Sequence, residues 1–274
     1  MNKLQKFLIG KWNWLRLPKS LAFIYCTLLI VTFSFSDHLI FQPPTPGYQI
    51  TDSHILQVSR PNGENVALYH LKAAPNMPTL LWSHGNAEDI GYLRNRFNKF
   101  HSRGYGILAY DYPGYGQSMG KPSEQGCYEA LEAAHLYLTE NLNVPNDQII
   151  IYGQSVGSGP AVWLASQKPC AGLILVSPFI TVYRTVTKIP LFPGDKFKNI
   201  HRINKVVIPL LVIHGGQDRV IRQWHGKKLH ALHPGPKTFI DVSEAGHNDI
   251  YQLATEDILN ALNTFRDDIN QATL

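Results

Sequence analysis

The stretch IIIYGQSVGSGPAVWLASQK, residues 149–168, passes from an unbroken apolar run into a helical pattern at one residue, Ser155. A continuous β-branched run of this kind is typical of a strand buried inside a parallel sheet. The serine lies in the pattern Gly-x-Ser-x-Gly, which at a strand-to-helix turn presents a nucleophilic hydroxyl. Glycine suits the flanking positions because such a sharp turn leaves little room for side chains. The stretch therefore predicts an α/β fold with Ser155 as the candidate nucleophile.

The same five-residue pattern occurs earlier in the chain, as GQSMG at residues 116–120. Its serine, Ser118, follows DYPGY, and the next helix starts several residues later, after Pro122, with Ser123 as the predicted N-cap. A motif carries chemistry only in its structural context. We therefore predict that Ser118 lies in a glycine-rich loop and is not a nucleophile.

Two later stretches supply the partners that a serine nucleophile needs. The hydroxyl requires a general base, and the base requires an orienting carboxylate. In this type of sheet the acid and then the histidine follow the serine along the chain, each after a later strand. PLLVIHGGQDRV supplies Asp218, and FIDVSEAGHNDI supplies His247. Asp249 is a rival acid by its nearness in sequence, but a position in the first turn of the last helix explains it better.

Hydrogen-bond donors for an oxyanion are the remaining requirement of this chemistry. One donor is expected at the backbone amide of Val156, directly after Ser155. The other is expected in the loop LLWSHGNAEDIG, where Asn86 follows His84 and a glycine. An ordinary turn is the alternative interpretation of this loop. We predict that Asn86 and Val156 form the oxyanion hole and that His84 braces the loop.

Strand-like and helical stretches alternate between residues 55 and 270, from the third strand onward. This alternation predicts one α/β domain with a mostly parallel central sheet and helices on both faces. Residues 178–207, between two strands, are predicted to form a short lid. Its aromatic and aliphatic residues either line a substrate pocket or pack a short covering helix. They are Phe179, Tyr183, Ile189, Leu191, Phe192 and Phe197, of which Phe179 and Tyr183 are the predicted substrate-binding residues.

The N-terminal segment carries the whole net charge of the chain, +5, since five basic residues and no acidic one precede Asp37. The neutral remainder argues against a nucleic-acid partner. Residues 21–35 are almost entirely apolar, so we predict a cytoplasmic basic segment (1–20), a transmembrane signal-anchor (21–41) and a linker (42–54). This topology places the catalytic domain of a single-pass membrane protein on the extracytoplasmic side. A cleaved signal peptide and a buried or interfacial helix are the alternatives.

Cys127 and Cys170 are the two cysteines of the predicted domain. A single disulfide between them is possible in an oxidising compartment, but two cysteines at unrelated positions are more often small buried residues. The sequence contains no cysteine cluster and no His-Glu-x-x-His pattern. It therefore predicts neither a metal site nor a cofactor.

Several stretches resemble those of the α/β-hydrolases and occur in the same order. They are WSHGNAEDIGYL, YGILAYDYPGYGQSMGKPSE, IYGQSVGSGPAVWLA, LVSPF, LLVIHGGQDRVI and EAGHNDIY, and the similarity extends over residues 49–265. More narrowly, the chain resembles the membrane-tethered α/β-hydrolase-domain proteins, which include eukaryotic protein depalmitoylases and lie near the serine-aminopeptidase-type hydrolases. The resemblance implies Ser155, Asp218 and His247 as a catalytic triad, with the amides of Asn86 and Val156 as the oxyanion hole. The N-terminal lipidated cysteine cluster that tethers the eukaryotic depalmitoylases is absent here.

A serine hydrolase that cleaves an ester, thioester or amide through an acyl-enzyme is the function that these residues predict. Its substrate would be a small molecule or an acylated partner. The alternatives are a non-catalytic, membrane-tethered binding protein that keeps the fold, or an acyl transferase or peptidase on the same fold.

Overall fold

The computed structural model describes residues 14, 16–191 and 193–272. Its centre is an eight-stranded sheet with the order β1-β2-β4-β3-β5-β6-β7-β8. The strands are β1 (Ile55–Ser59), β2 (Asn65–Leu71), β3 (Thr79–Ser83), β4 (Gly106–Tyr110), β5 (Ile149–Gln154), β6 (Gly172–Val176), β7 (Leu210–Gly215) and β8 (Lys237–Val242). The described α-helices are α1 (Arg16–Ile40), α2 (Arg94–His101), α3 (Glu124–Leu136), α4 (Ser158–Ala165), α5 (Trp224–Leu232) and α6 (Ile250–Ala272).

Most of this sheet is parallel. β1 and β4 each pair with β2 in the antiparallel direction, whereas β3 lies parallel between β4 and β5, and β6, β7 and β8 continue the parallel series. Every residue of β3, β4 and β6 is buried. Strands covered by helices on both faces need such continuous apolar runs, because neither face meets water. The predicted α/β architecture with a mostly parallel central sheet is confirmed.

Successive residues of β3 enter two different cores, one on each face of the sheet. Leu81 packs with residues of α3 and α4, whereas Leu80 and Trp82 pack with residues of α2 and α6. The Trp82 ring meets the rings of Phe97 and Phe100 edge-on, with centroid distances of 5.4 and 5.1 Å. This alternation follows from strand geometry, in which consecutive side chains point to opposite faces.

The predicted lid, residues 178–207, consists of loops and three short 3-10 turns in the part that the structure describes. Phe197 is fully buried, and its ring lies against Gly159 of α4, where a Cβ atom would come within 2.3 Å of it. Ile189 and Leu191 are exposed, and Phe192 lies outside the described residues. The alternative of a short covering helix therefore does not hold for the described part of this segment.

Helix α1 occupies most of the segment that we predicted to span a membrane, residues 21–41. Yet no helix among the described residues is long and apolar enough to cross a membrane, and this finding corrects that prediction. The apolar run from 21 to 35 corresponds to only about 22 Å of helix, against a hydrocarbon core of about 30 Å. Most of the predicted basic segment lies outside the described residues, and the extracytoplasmic location stays a prediction.

Both domain cysteines, Cys127 and Cys170, are buried free thiols, so the possible disulfide is not formed. Burial raises the pKa of the Cys127 thiol well above its ordinary value and that of Cys170 to about 12. Both therefore behave as small apolar side chains of the core.

Candidate active site

Ser155 lies at the junction where β5 ends and a short 3-10 turn leads into α4. Its φ angle is +52°, in the left-handed region that a residue with a side chain rarely adopts. The neighbouring glycines make room for this turn. A Cβ atom at Gly157 would lie 2.2 Å from the Ser83 carbonyl oxygen, and one at Gly153 would lie 2.6 Å from the Gly157 carbonyl oxygen. The backbone thus holds the serine in a strained conformation, and such strain is often found at functional sites.

A chain of two hydrogen bonds connects Ser155 to His247 and His247 to Asp218. Ser155 Oγ lies 2.9 Å from His247 Nε2, and His247 Nδ1 lies 2.7 Å from Asp218 Oδ2. Asp218 follows β7, and His247 lies in the loop between β8 and α6. With its Nδ1–H donating to the carboxylate, the imidazole presents the Nε2 lone pair to the serine hydroxyl. The structure therefore brings together three residues that are far apart in the sequence.

Asp218 is a buried carboxylate with several hydrogen-bond donors around it. Its Oδ1 accepts hydrogen bonds from the backbone N–H groups of Val220 and Ile221, at 2.9 and 2.7 Å. Burial acts to raise the pKa of Asp218, but hydrogen bonds from His214 and His247 outweigh it and hold that pKa well below its ordinary value. The carboxylate is therefore ionised at neutral pH and attracts positive charge on the imidazole.

His214 is a neighbour of Asp218 that we did not predict from the sequence. It is fully buried, donates from Nε2 to the Ile221 carbonyl oxygen at 2.8 Å, and has the same nitrogen 3.5 Å from Asp218 Oδ2. The signal available in the sequence was its position four residues before the acid, at the end of an apolar strand. His214 thus braces the loop that carries the carboxylate.

The rival acid, Asp249, has a different role. Its Oδ1 accepts a hydrogen bond from the Gly246 backbone N–H at 2.7 Å, and it directly precedes α6. An acidic side chain at this position satisfies a free backbone donor near the start of a helix. Asp249 therefore shapes the turn that carries His247, and its carboxylate bonds to the backbone of that turn.

The side-chain amide of Asn86 forms hydrogen bonds with the chain that follows α1. Its Nδ2 donates to the Ile40 carbonyl oxygen at 2.7 Å, and its Oδ1 accepts from the Gln42 backbone N–H at 3.0 Å. The backbone N–H groups of Asn86 and Val156 have no acceptor within the part of the chain that the structure describes. The hydrogen bond to Ile40 uses one of the two Nδ2 hydrogens, and the main-chain N–H is the Asn86 donor expected in an oxyanion hole. His84 is fully buried beneath this loop, and its Nδ1 donates to the Gly85 carbonyl oxygen at 2.7 Å.

Ser155 and His247 open into a cavity of about 860 Å³. Asn86, Val156 and the two predicted substrate-binding residues, Phe179 and Tyr183, also line it. Apolar atoms form most of the surface of this cavity, and aliphatic side chains from α1, the lid and the loop after Asp218 contribute to it. They are Leu39, Ile40, Val182, Val186, Val220 and Ile221. We did not predict from the sequence that α1 contributes to this wall.

Comparison with known proteins identifies the family of this chain. A family profile described as serine aminopeptidase, S33, matches residues 74–199. The alpha/beta hydrolase domain-containing protein aho-3 of Caenorhabditis elegans is 35% identical over 270 residues, which cover 85% of this chain and 80% of the relative. The chain belongs to the α/β-hydrolase domain-containing proteins. Alpha/beta hydrolase domain-containing protein 17B of Homo sapiens is 40% identical to this α/β-hydrolase over 193 residues, 69% of this chain and 67% of that protein.

Solved structures agree on the fold of this α/β-hydrolase. The Pyrococcus furiosus esterase Pf2001 superposes with a TM-score of 0.68 over 83% of this chain and 96% of the esterase, at 16% identity. The α/β-hydrolase GrgF from a Penicillium species superposes with a TM-score of 0.66 over 78% of this chain and 97% of that chain, at 17% identity. Likeness at such low identity concerns the fold alone. Together with the family relationship, it makes this protein a serine hydrolase of the α/β-hydrolase fold.

Proposed function

We propose that this serine hydrolase cleaves acyl esters or thioesters through an acyl-enzyme formed on Ser155. One observation carries the proposal: the hydrogen-bonded series Ser155–His247–Asp218 opens into an apolar cavity of about 860 Å³. That volume lies in the range of pockets that enclose a small-molecule ligand. The cavity begins at the serine hydroxyl, so an acyl chain inside it would bring its carbonyl carbon to the nucleophile.

The first half-reaction follows from these contacts. As Ser155 Oγ attacks the carbonyl carbon, His247 Nε2 takes the hydroxyl proton, and Asp218 stabilises the imidazolium that forms. The carbonyl oxygen becomes an oxyanion that accepts hydrogen bonds from the backbone N–H groups of Val156 and Asn86. Collapse of this intermediate breaks the bond to the leaving group, which receives the proton from His247 and departs as an alcohol or a thiol.

Water completes the cycle in the second half-reaction. His247 Nε2 takes a proton from the water as the oxygen attacks the acyl-enzyme, and the same two N–H groups stabilise the second oxyanion. The bond to Ser155 Oγ then breaks, the serine recovers its proton from His247, and a carboxylic acid leaves. The low pKa of Asp218 keeps the carboxylate charged through both steps.

The apolar wall of the cavity predicts a preference for acyl chains over acetyl groups. Each buried methylene contributes about 0.8 kcal/mol, so every two added methylenes should raise kcat/KM by up to about fifteenfold while the chain still fits. Val182 is a half-buried lid residue in this wall. We expect Val182→Phe to shorten the preferred chain, because the larger ring occupies part of the space that the chain needs.

A substrate panel tests this proposal. It contains p-nitrophenyl esters from C2 to C16, acyl thioesters and aminoacyl amides, each assayed with the wild type, Val182→Phe and Val207→Phe. Val207 is exposed and does not line the cavity, so its variant controls for the added ring. Ester or thioester turnover that rises with chain length, with the optimum shortened only in Val182→Phe, supports the proposal. Turnover confined to the aminoacyl amides would instead show a peptidase.

A further inference from the structure

The chain directly after α1 forms hydrogen bonds with the loop that carries Asn86. Asn86 uses both ends of its side-chain amide there, with Nδ2 donating to the Ile40 carbonyl and Oδ1 accepting from the Gln42 N–H. The Tyr115 hydroxyl bonds to both partners, since it donates to Asn86 Oδ1 at 2.6 Å and accepts from the Gln42 N–H at 2.9 Å. These four hydrogen bonds tie the N-terminal segment to the loop beside the nucleophile.

The N-terminal side of this contact is itself anchored. Phe41 lies between Ile40 and Gln42 and is buried, with its ring centroid 6.4 Å from that of Tyr115 and 6.1 Å from that of Phe197. Asp37 forms an ion pair with Lys196 of the lid. Residues 37–42 are thus packed against both the core and the lid, and they offer Asn86 fixed hydrogen-bond partners.

The loop needs such support because its backbone is strained. Ala87, the residue after Asn86, has a φ angle of +54°. A non-glycine residue in this region costs on the order of 1–3 kcal/mol and persists only where surrounding contacts hold it. The side chain of Asn86 supplies these contacts one residue away, and the Gly85 N–H adds another by donating to Glu88 Oε2 at 3.1 Å.

We propose that residues 37–42 are a positioning element of the active site, which fixes the backbone N–H of Asn86 through the Asn86 side chain. The inference rests on the proposed function, because it requires that this N–H binds the oxyanion. The same segment also faces the substrate, since Leu39 and Ile40 line the cavity. An N-terminal segment that the sequence suggested to be a tether and a linker therefore takes part in catalysis.

Asn86→Ala in the full-length chain tests this role, because it removes the side-chain contacts and keeps the backbone N–H. An oxyanion donor contributes about 10²–10³ in kcat, so a misplaced one should cost between about tenfold and that limit. We expect KM for a p-nitrophenyl ester to change by less than about threefold, since the oxyanion exists only in the transition state. Affinity for an alkyl boronic acid, whose serine adduct is tetrahedral, should fall by the same factor as kcat.

Tyr115→Phe provides a second and milder variant, which keeps the buried ring and removes one hydroxyl. We expect kcat and boronic acid affinity to fall together by about three- to tenfold, on the scale of one buried hydrogen bond. Tyr105→Phe is the matched control, because this buried tyrosine bonds to Asn263 on the other face of the sheet. It should leave both quantities within twofold of the wild type.

The outcomes separate this inference from the proposed function. If kcat and boronic acid affinity stay within twofold of the wild type in folded Asn86→Ala, the inference is overturned, even if Ser155→Ala is inactive. If Asn86→Ala does not fold, unchanged kcat and unchanged boronic acid affinity in Tyr115→Phe overturn the inference. Full turnover in Ser155→Ala would refute the proposed function itself. Thermal melts of every variant establish which of them are folded.

Discussion

Ser118 and Ser155 stand in the same five-residue pattern and are almost equally buried, with 7% and 8% of their surfaces exposed. Their hydroxyls nevertheless meet different partners. Ser118 Oγ donates to the Asp111 carbonyl oxygen at 3.0 Å and accepts from the Ala67 backbone N–H at 2.9 Å. Ser155 Oγ faces the ring nitrogen of His247 in the cavity. The first hydroxyl is bound to the backbone on both sides, whereas the second has a base beside it.

The glycines of the two motifs also serve different purposes. In the first motif the glycines themselves take the left-handed conformation, with φ angles of +50° at Gly116 and +97° at Gly120. In the second motif the serine takes it, and Gly153 and Gly157 leave space for neighbouring backbone. The same pattern therefore encodes a loop with left-handed glycines in one place and a turn with a strained serine in the other. What distinguishes them is the strand before the serine and the helix after it.

The largest effect should come from Ser155→Ala. We expect it to lower esterase turnover by about a millionfold and to abolish labelling by a fluorophosphonate probe, as loss of the nucleophile does in other serine hydrolases. Ser118→Ala should be labelled like the wild type. Active-site labelling on a gel, quantified for both variants at equal protein concentration, measures the contrast. A Ser155→Ala protein that still reacts with the probe would mean that the strained turn does not carry the nucleophile.

The next effect concerns the two candidate acids of the site, Asp218 and Asp249. Asp218→Asn should lower kcat by about a thousandfold or more, because the imidazole loses the acceptor that sets its tautomer. KM should change little. Asp249→Asn should cost less than about tenfold, since its carboxylate bonds to the Gly246 N–H in the turn before α6. Paired kinetics with one activated ester compare them, after melting curves show that both variants fold. A larger loss in Asp249→Asn would reassign the acid.

Much of the second motif's surroundings could be predicted because each part is encoded locally. The run of residues 149–152 specifies a buried strand, and the apolar strand before Asp218 carries that residue to the same edge of the sheet. The chain order of the three residues is set by the topology. The sequence therefore predicts three residues that the structure places in one hydrogen-bonded series, and their catalytic roles stay predictions.

The contribution of α1 could not be predicted in the same way. An apolar run does not reveal whether its helix faces lipid or a substrate cavity. The run at residues 21–35 favoured a membrane-spanning helix. The contacts with Asn86 use backbone atoms of Ile40 and Gln42. Almost any residue type could supply these atoms, so the sequence does not reveal the contacts. His214 was missed for a related reason, because a histidine inside a strand is usually a core residue with a satisfied hydrogen bond.

A smaller effect is expected for Ser118→Ala, and it concerns stability. The variant leaves the Ala67 N–H and the Asp111 carbonyl without their buried partner, which should cost about 1–3 kcal/mol of unfolding free energy. Turnover of a p-nitrophenyl ester should stay within about threefold of the wild type. Urea unfolding curves and ester kinetics on the same preparation measure both quantities. A large loss of turnover at unchanged stability would show that this loop also takes part in catalysis.

The smallest effect is a pH dependence of stability that differs between the Ser155 site and the Ser118 loop. The pKa of Asp218 is lower in the folded protein than its unfolded value of about 3.9, so its contribution to stability is present above that value. This contribution is lost as the pH falls from about 4 through the folded pKa, because the carboxyl group is then protonated in the folded state as well. The difference in Tm between the wild type and Asp218→Asn should therefore be smaller at pH 3 than at pH 5.

The hydrogen bonds of Ser118 involve no titrating group, so the difference in Tm between the wild type and Ser118→Ala should be the same at both pH values. Calorimetric melts of the three proteins at pH 3 and pH 5 test this, and parallel behaviour of the two variants would contradict a buried, ionised carboxylate beside His247.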